Sequence, residues 1–216
     1  MTRKVKTKRT RKVASPKRNS SVFTAVKATD TKISQTAMHL EYLFSMGVNF
    51  IDRTITITGD IEAPWFDIVD ASMAEFERKS KKGVTVKIYS EGGSVYEAMA
   101  IVARLKKSKC YITTEGYGCI MSAATIILAC GDLRKMSDLA VFMHHEASYS
   151  LEGKHSEITN YVAHAEREEK LWAKCMAKFS EESEDYWMEF GKHIDRFFFA
   201  NECLELGVVD EIFEVI

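Results

Sequence analysis

Proline is almost missing from this chain, and long apolar runs are missing altogether. The 216 residues include two prolines and eleven glycines, too few for extended flexible linkers. No apolar run nears the ~20 residues of a membrane-spanning helix, so no membrane partner is expected. The N-terminus is charged and has no apolar core of a secretory leader, so none is expected. Cysteine is sparse and odd in number: Cys110, Cys119, Cys130, Cys175 and Cys203. No C-x-x-C pair and no His/Cys spacing of a zinc site occurs. The five are read as reduced thiols of a cytoplasmic protein. A Walker-type phosphate loop is also lacking, so any dependence on ATP would have to come from a separate protein.

What is present suits one globular domain: 46% of residues are hydrophobic and 28% charged, enough for a sizeable core. The net charge of −1 conceals an asymmetry. Residues 1–20 carry nine Lys/Arg, among them Arg3, Lys4, Arg9 and Arg18, and no acid. Residues 1–32 are therefore read as a basic, disordered arm and lead-in, with an unknown partner. Residues 33–216 are read as the folded domain.

Along that domain, strand and helix signals alternate. Thr54 to Thr58 alternates and is β-branched, a strand ending at Gly59. Pro64 opens a helix carrying Trp65, Ile68, Val69, Met73 and Phe76. Val84 to Tyr89 is a second strand, Gly92-Gly93 a turn, and Ser94 to Lys107 a helix. Cys110 to Thr114 is a third strand, Gly116 and Gly118 a turn, and Ser122 to Cys130 a short apolar helix. Leu139 to Met143 is a fourth strand. Ser156 to Phe179 is a long amphipathic helix, and Ser180 is the expected cap of the next one. Strand–turn–helix repetition implies an α/β fold with a largely parallel sheet, whose ligand sites lie beyond the carboxyl ends of strands. Gly92-Gly93 and Gly118 to Ser122 both fall there.

Ser122 opens a helix, which exposes its hydroxyl and aims backbone N–H groups at developing negative charge. A serine needs a base in contact to become nucleophilic. His144 and His145 are adjacent at a strand end and point to opposite faces, so one of them at most can serve Ser122. Asp195 is a candidate orienting acid, and equally a helix cap or an arginine partner. The Gly92-Gly93 pair marks a tight turn, or else a place where bare backbone donates to a substrate oxygen.

Several segments in order resemble the proteolytic subunit of the Clp protease, the ClpP family. They are Thr54 to Gly59, Gly92-Gly93-Ser94-Val95, Gly118 with Ser122 and Gly131, Phe142-Met143-His144, and Asp195-Arg196-Phe197 through Ala200, Glu202, Gly207, Val209 and Asp210. The resemblance covers residues 33 to 216. It implies a ClpP/crotonase-type fold with β-α repeats and a long handle helix, here the one from Ser156. It implies a serine endopeptidase with Ser122 as nucleophile, His144 as base and Asp195 as orienting acid. The backbone N–H groups of Gly93 and Ala123 would form the oxyanion hole. The residue that follows the family's histidine is usually glutamine, so the resemblance selects His144 and not His145. No cofactor or metal is implied. The expected partners are protein or peptide substrates, copies of the same chain in one or two stacked heptameric rings, and a separate AAA+ unfoldase. Alternatives within reach of the same fold are a phage head-maturation protease, a crotonase-like acyl-CoA enzyme and a catalytically silent ring subunit.

Overall fold

The computed structural model describes residues 37–215. The chain divides into two units, Met1–Glu41 and Tyr42–Ile216. The basic arm expected over residues 1–32 lies outside the described residues. Helix α1 takes in residues 37–45. There follow β1 (Val48–Asn49), β2 (Thr54–Ile61), α2 (Trp65–Lys79), β3 (Val84–Gly93), α3 (Val95–Lys106), β4 (Ile112–Met121) and α4 (Ala123–Ala129). The second half comprises β5 (Leu133–Ser137), β6 (Val141–His144), α5 (His155–Lys178), α6 (Glu184–Phe190), β7 (Arg196–Phe199), α7 (Ala200–Glu205) and β8 (Glu211–Phe213).

The α/β reading holds. One sheet runs in the order β1-β2-β3-β4-β5-β8, with β2 to β5 and β8 parallel. Its central strands alternate because one face is sealed by helices: Ile55, Ile57, Val84, Val86 and Ile88 are all buried. Each such side chain stabilises the fold by about 1.5–3 kcal/mol. Ser94 caps α3 by accepting from the Glu97 N–H at 3.3 Å. The Glu97 carboxylate in turn accepts from the Phe66 N–H at 2.6 Å, tying the starts of α2 and α3 together.

The long strand β4 serves two neighbours. Thr113 to Gly116 pair with β5, while Cys119 to Met121 pair with β6. The change of partner falls at Gly118, whose φ of +55° is in the left-handed region that glycine enters without strain. Strand β6 then pairs antiparallel with β7.

Three local expectations are corrected. The glycine pairs expected as turns lie inside strands: Gly92 and Gly93 close β3 opposite Asp60 and Ile61, and Gly116 and Gly118 belong to β4. Glycine marks irregular strand geometry here instead of chain reversal. The cap of α6 is Ser183, which accepts from the Tyr186 N–H at 3.1 Å. Ser180 instead donates to the Met176 carbonyl and accepts from the Trp187 indole. Strand β7, with no alternation and only four residues, was not foreseen.

The long helix α5 is well matched to its expected span but buries little: among its residues only Ala165, Ala173 and Met176 are buried. No helix among the described residues is long and apolar enough to cross a membrane.

Candidate active site

Strands β3, β4 and β6 all point their carboxyl ends to one edge, and the candidate residues collect there. Ser122 stands between β4 and α4 with φ 50° and ψ −124°. A non-glycine residue at such angles carries strain of order 1–3 kcal/mol and persists only where its surroundings hold it. Here the holding contacts are clear. The Ser122 N–H donates to the Met143 carbonyl of β6 at 2.9 Å. The Ser122 carbonyl accepts from both the N–H and the hydroxyl of buried Thr125. The hydroxyl of Ser122 makes no capping bond to its own helix and is left free for another partner.

Gly92 explains itself at this point. A Cβ there would lie 2.6 Å from Ser122 Cβ and 2.8 Å from the Met121 carbonyl oxygen, at a φ of +108°. The glycine is therefore required for β3 to lie against the elbow. Gly93 follows it at the strand end, and Ala123 is the first residue of α4, whose N–H has no partner within its own helix. Of the two backbone positions expected to donate to an oxyanion, Ala123 adjoins Ser122 in sequence and Gly93 follows the glycine that packs on it.

The partner of Ser122 is His145, with Nε2 at 2.8 Å from Oγ. On its other side His145 Nδ1 lies 3.7 Å from Asp195 Oδ1, beyond hydrogen-bond length but within ion-pair reach. The expectation that His144 serves Ser122 is corrected. His144 points the opposite way and is 5% exposed. Its ring stacks on Trp172 at 4.4 Å between centroids and 4° between planes, with Trp187 edge-on. Its Nε2 lies 3.4 Å from the Trp187 carbonyl. Burial, against the contrary pull of that carbonyl and helped by the neighbouring His145, lowers its pKa to about 4. His144 is a neutral core residue near pH 7.

The geometry of two strands dictates this choice. Phe142 is buried, and alternation places His144 on the same side and His145 on the other. The antiparallel register pairs Phe142 with Phe198 and His144 with Arg196. The residues just beyond that last pair are His145 and Asp195, whose side chains lie 3.7 Å apart. Ser122, His145 and Asp195 are brought together, and His144 is not among them. The signal that would have found His145 is the parity of the apolar run Val141 to Met143, once β7 is recognised as its partner.

A recess opens beside Ser122 toward α5 and α6. Ser122, His145, Val95, Trp172 and Met188 line it, with Glu168 and Glu169 on the α5 side. Burial raises the Glu169 pKa, nearby Glu146 and Glu166 push it the same way, and Lys192 opposes them. Among the described residues no group of three or more His, Cys, Asp or Glu side chains could hold a metal ion.

A family model described as Clp protease matches residues 41–215. The chain is 28% identical over 136 residues to the ATP-dependent Clp protease proteolytic subunit 2 of Corynebacterium jeikeium, covering 62% of this chain and 65% of that one. It is 28% identical over 136 residues, with the same coverage, to proteolytic subunit 1 of Corynebacterium glutamicum. Subunit 1 of Rhodococcus jostii is 28% identical over 136 residues, 62% of this chain and 61% of that one. The matched region spans just under two thirds of the length of these relatives.

Proposed function

The chain belongs to the Clp protease family, and from that premise we propose that it is a serine endopeptidase in which Ser122 is the nucleophile and His145 the general base. The observation that carries this reading is the 2.8 Å contact between Ser122 Oγ and His145 Nε2, made on a backbone elbow with φ 50°. His145 takes the Ser122 proton as Oγ attacks a peptide carbonyl. The oxyanion rests on the N–H groups of Gly93 and Ala123. His145 then protonates the leaving amine, and water hydrolyses the acyl-enzyme. Asp195 moves from 3.7 Å into hydrogen-bond contact with Nδ1, fixing the tautomer and stabilising the imidazolium. A crotonase-like acyl-CoA enzyme has no chemical need of a serine–histidine contact, so the geometry favours hydrolysis.

The proposed assembly is a ring of identical subunits. Ile194, Phe197 and Phe199 around β7, and Tyr161, Val162 and Leu171 on α5, are large apolar side chains left exposed on a single chain. Their burial between copies would remove that exposure. The relatives are named as subunits of an ATP-dependent protease, and a separate ATPase is the proposed partner here.

Labelling by a fluorophosphonate probe tests the reading without knowledge of the substrate. Wild type labels, and Ser122→Ala abolishes labelling. His145→Ala slows it by roughly 10²–10⁴. His144→Phe leaves the Ser122–His145 contact in place and still labels. A folded wild type that does not label would refute the proposal, and so would labelling that depends on His144 and not on His145.

A further inference from the structure

The recess beside Ser122 has two kinds of wall. Val95, Trp172 and Met188 form a half-buried apolar side. Helix α5, which carries Trp172, also presents Glu168 and Glu169 one turn earlier. The two carboxylates differ in how they are held. Glu168 is engaged by Tyr96 and by His164, the latter at 3.4 Å. Glu169 has no hydrogen bond or ion pair among the described residues, although it is half-buried. Lys192, a lysine that lines the recess, acts on Glu169 only through space and is bound to Glu189 at 2.5 Å. His144, which also borders the recess, is neutral. A half-buried carboxylate without a partner is costly unless something supplies the countercharge.

We propose that this recess receives a lysine or arginine side chain next to the scissile bond, with Glu169 as its counter-charge. The inference rests on the hydrolase reading above and names its substrate class. A long basic side chain fits both walls: its methylene stem covers Trp172 and Met188, and its cationic head reaches Glu169. A leucine at the same place would fill the apolar wall and leave Glu169 without a partner. The raised pKa of Glu169 agrees with this picture: burial and the negative potential of Glu146 and Glu166 outweigh the pull of Lys192, and a bound cation would relieve both.

The test uses the full-length protein and a mixed peptide library, with the cut bonds read by mass spectrometry. Fluorophosphonate labelling of the same preparation runs alongside. The expected result is enrichment of Lys and Arg at one position flanking the cut bond. For a matched pair of peptides with lysine or leucine at that position, Glu169→Gln lowers the lysine-to-leucine ratio of kcat/KM roughly tenfold, as loss of a charge-assisted bond requires. Glu169→Lys moves the enrichment toward Asp and Glu. A wild type that labels but cuts with no enrichment of basic residues overturns the specificity and leaves the hydrolase reading standing. An unchanged ratio in Glu169→Gln also overturns it. A wild type that neither labels nor cuts overturns the hydrolase reading itself.

Discussion

His144 makes the chain sensitive to acid in a way that can be worked out. An ordinary histidine has a pKa of 6.5, and burial between Trp172 and Trp187 lowers that of His144 to about 4. The folded state therefore holds the ring neutral over a range where the unfolded chain protonates it. Between these two values the unfolded state binds more protons, so stability rises with pH across the window. The contribution is complete above about pH 6.5 and is lost as pH falls toward 4. The full difference corresponds to roughly 3 kcal/mol, at 1.36 kcal/mol per pKa unit. Most of it is gone by pH 4.5. The assay is urea unfolding of wild type and His144→Phe at pH 7.5 and pH 4.5. Phenylalanine keeps a flat ring against Trp172 and removes the titrating group. The variant should lose about 2–3 kcal/mol less than wild type between the two pH values. Carboxylates that titrate in the same window contribute equally to both proteins and cancel in the comparison. Equal losses in the two proteins would refute the claim that His144 is buried neutral, and would reopen its place at Ser122.

Two further outcomes are expected. Gly92→Ala would drive a Cβ to within 2.6 Å of Ser122 Cβ; displacing the elbow by even about 1 Å should slow fluorophosphonate labelling on the order of 10²-fold, with far-ultraviolet circular dichroism unchanged, and near-normal labelling would count against the close packing of β3 on Ser122. Arg134 pairs with Asp210 and donates to the carbonyls of Phe179 and Gly207, and this guanidinium holds the Asp210 pKa below its usual value; Arg134→Met removes those side-chain bonds but keeps the backbone N–H bond from position 134 to the exposed Asp210, so it should cost about 1–2 kcal/mol in urea unfolding at pH 7, and a cost above about 3 kcal/mol would show the pair to behave as a buried one.

Much of the scaffold could be read from pattern alone, for a physical reason. Strands β2 and β3 are β-branched and alternate because one sheet face is sealed, and α3 carries its own cap in Ser94. These are local signals that tertiary context reinforced. The elements that were missed lack such signals. Strand β5, Leu-Arg-Lys-Met-Ser, has no alternation because its first three residues are only half-buried. Strand β7 is Arg-Phe-Phe-Phe, apolar on both faces, with Phe198 packed inside and Phe197 and Phe199 exposed. The glycines of β3 and β4 looked like turns because the usual meaning of glycine is chain reversal. In this chain Gly92 answers a steric demand from Ser122, thirty residues away, which no local reading contains.

The two histidines show where local pattern stops and register takes over. Ser122 and Asp195 could be singled out by motif, and the structure brings them to one edge. Between them, the resemblance of Phe142-Met143-His144 to a familiar strand end selects His144. A strand has period two, so an offset of a single residue exchanges the core face for the site face. Phe142 is committed to the core by Phe198, across the ladder at 5.9 Å between rings. That commitment sends His144 inward to Trp172 and turns His145 outward to Ser122. Which histidine meets Ser122 is therefore decided by the phenylalanine pair of the β6–β7 ladder. Shifting that pair by one residue would bury His145 and bring His144 to the edge. The same register also brings Asp195 near, since it directly precedes Arg196, the partner of His144. The proposed base and acid are thus positioned together by the pairing of β6 with β7.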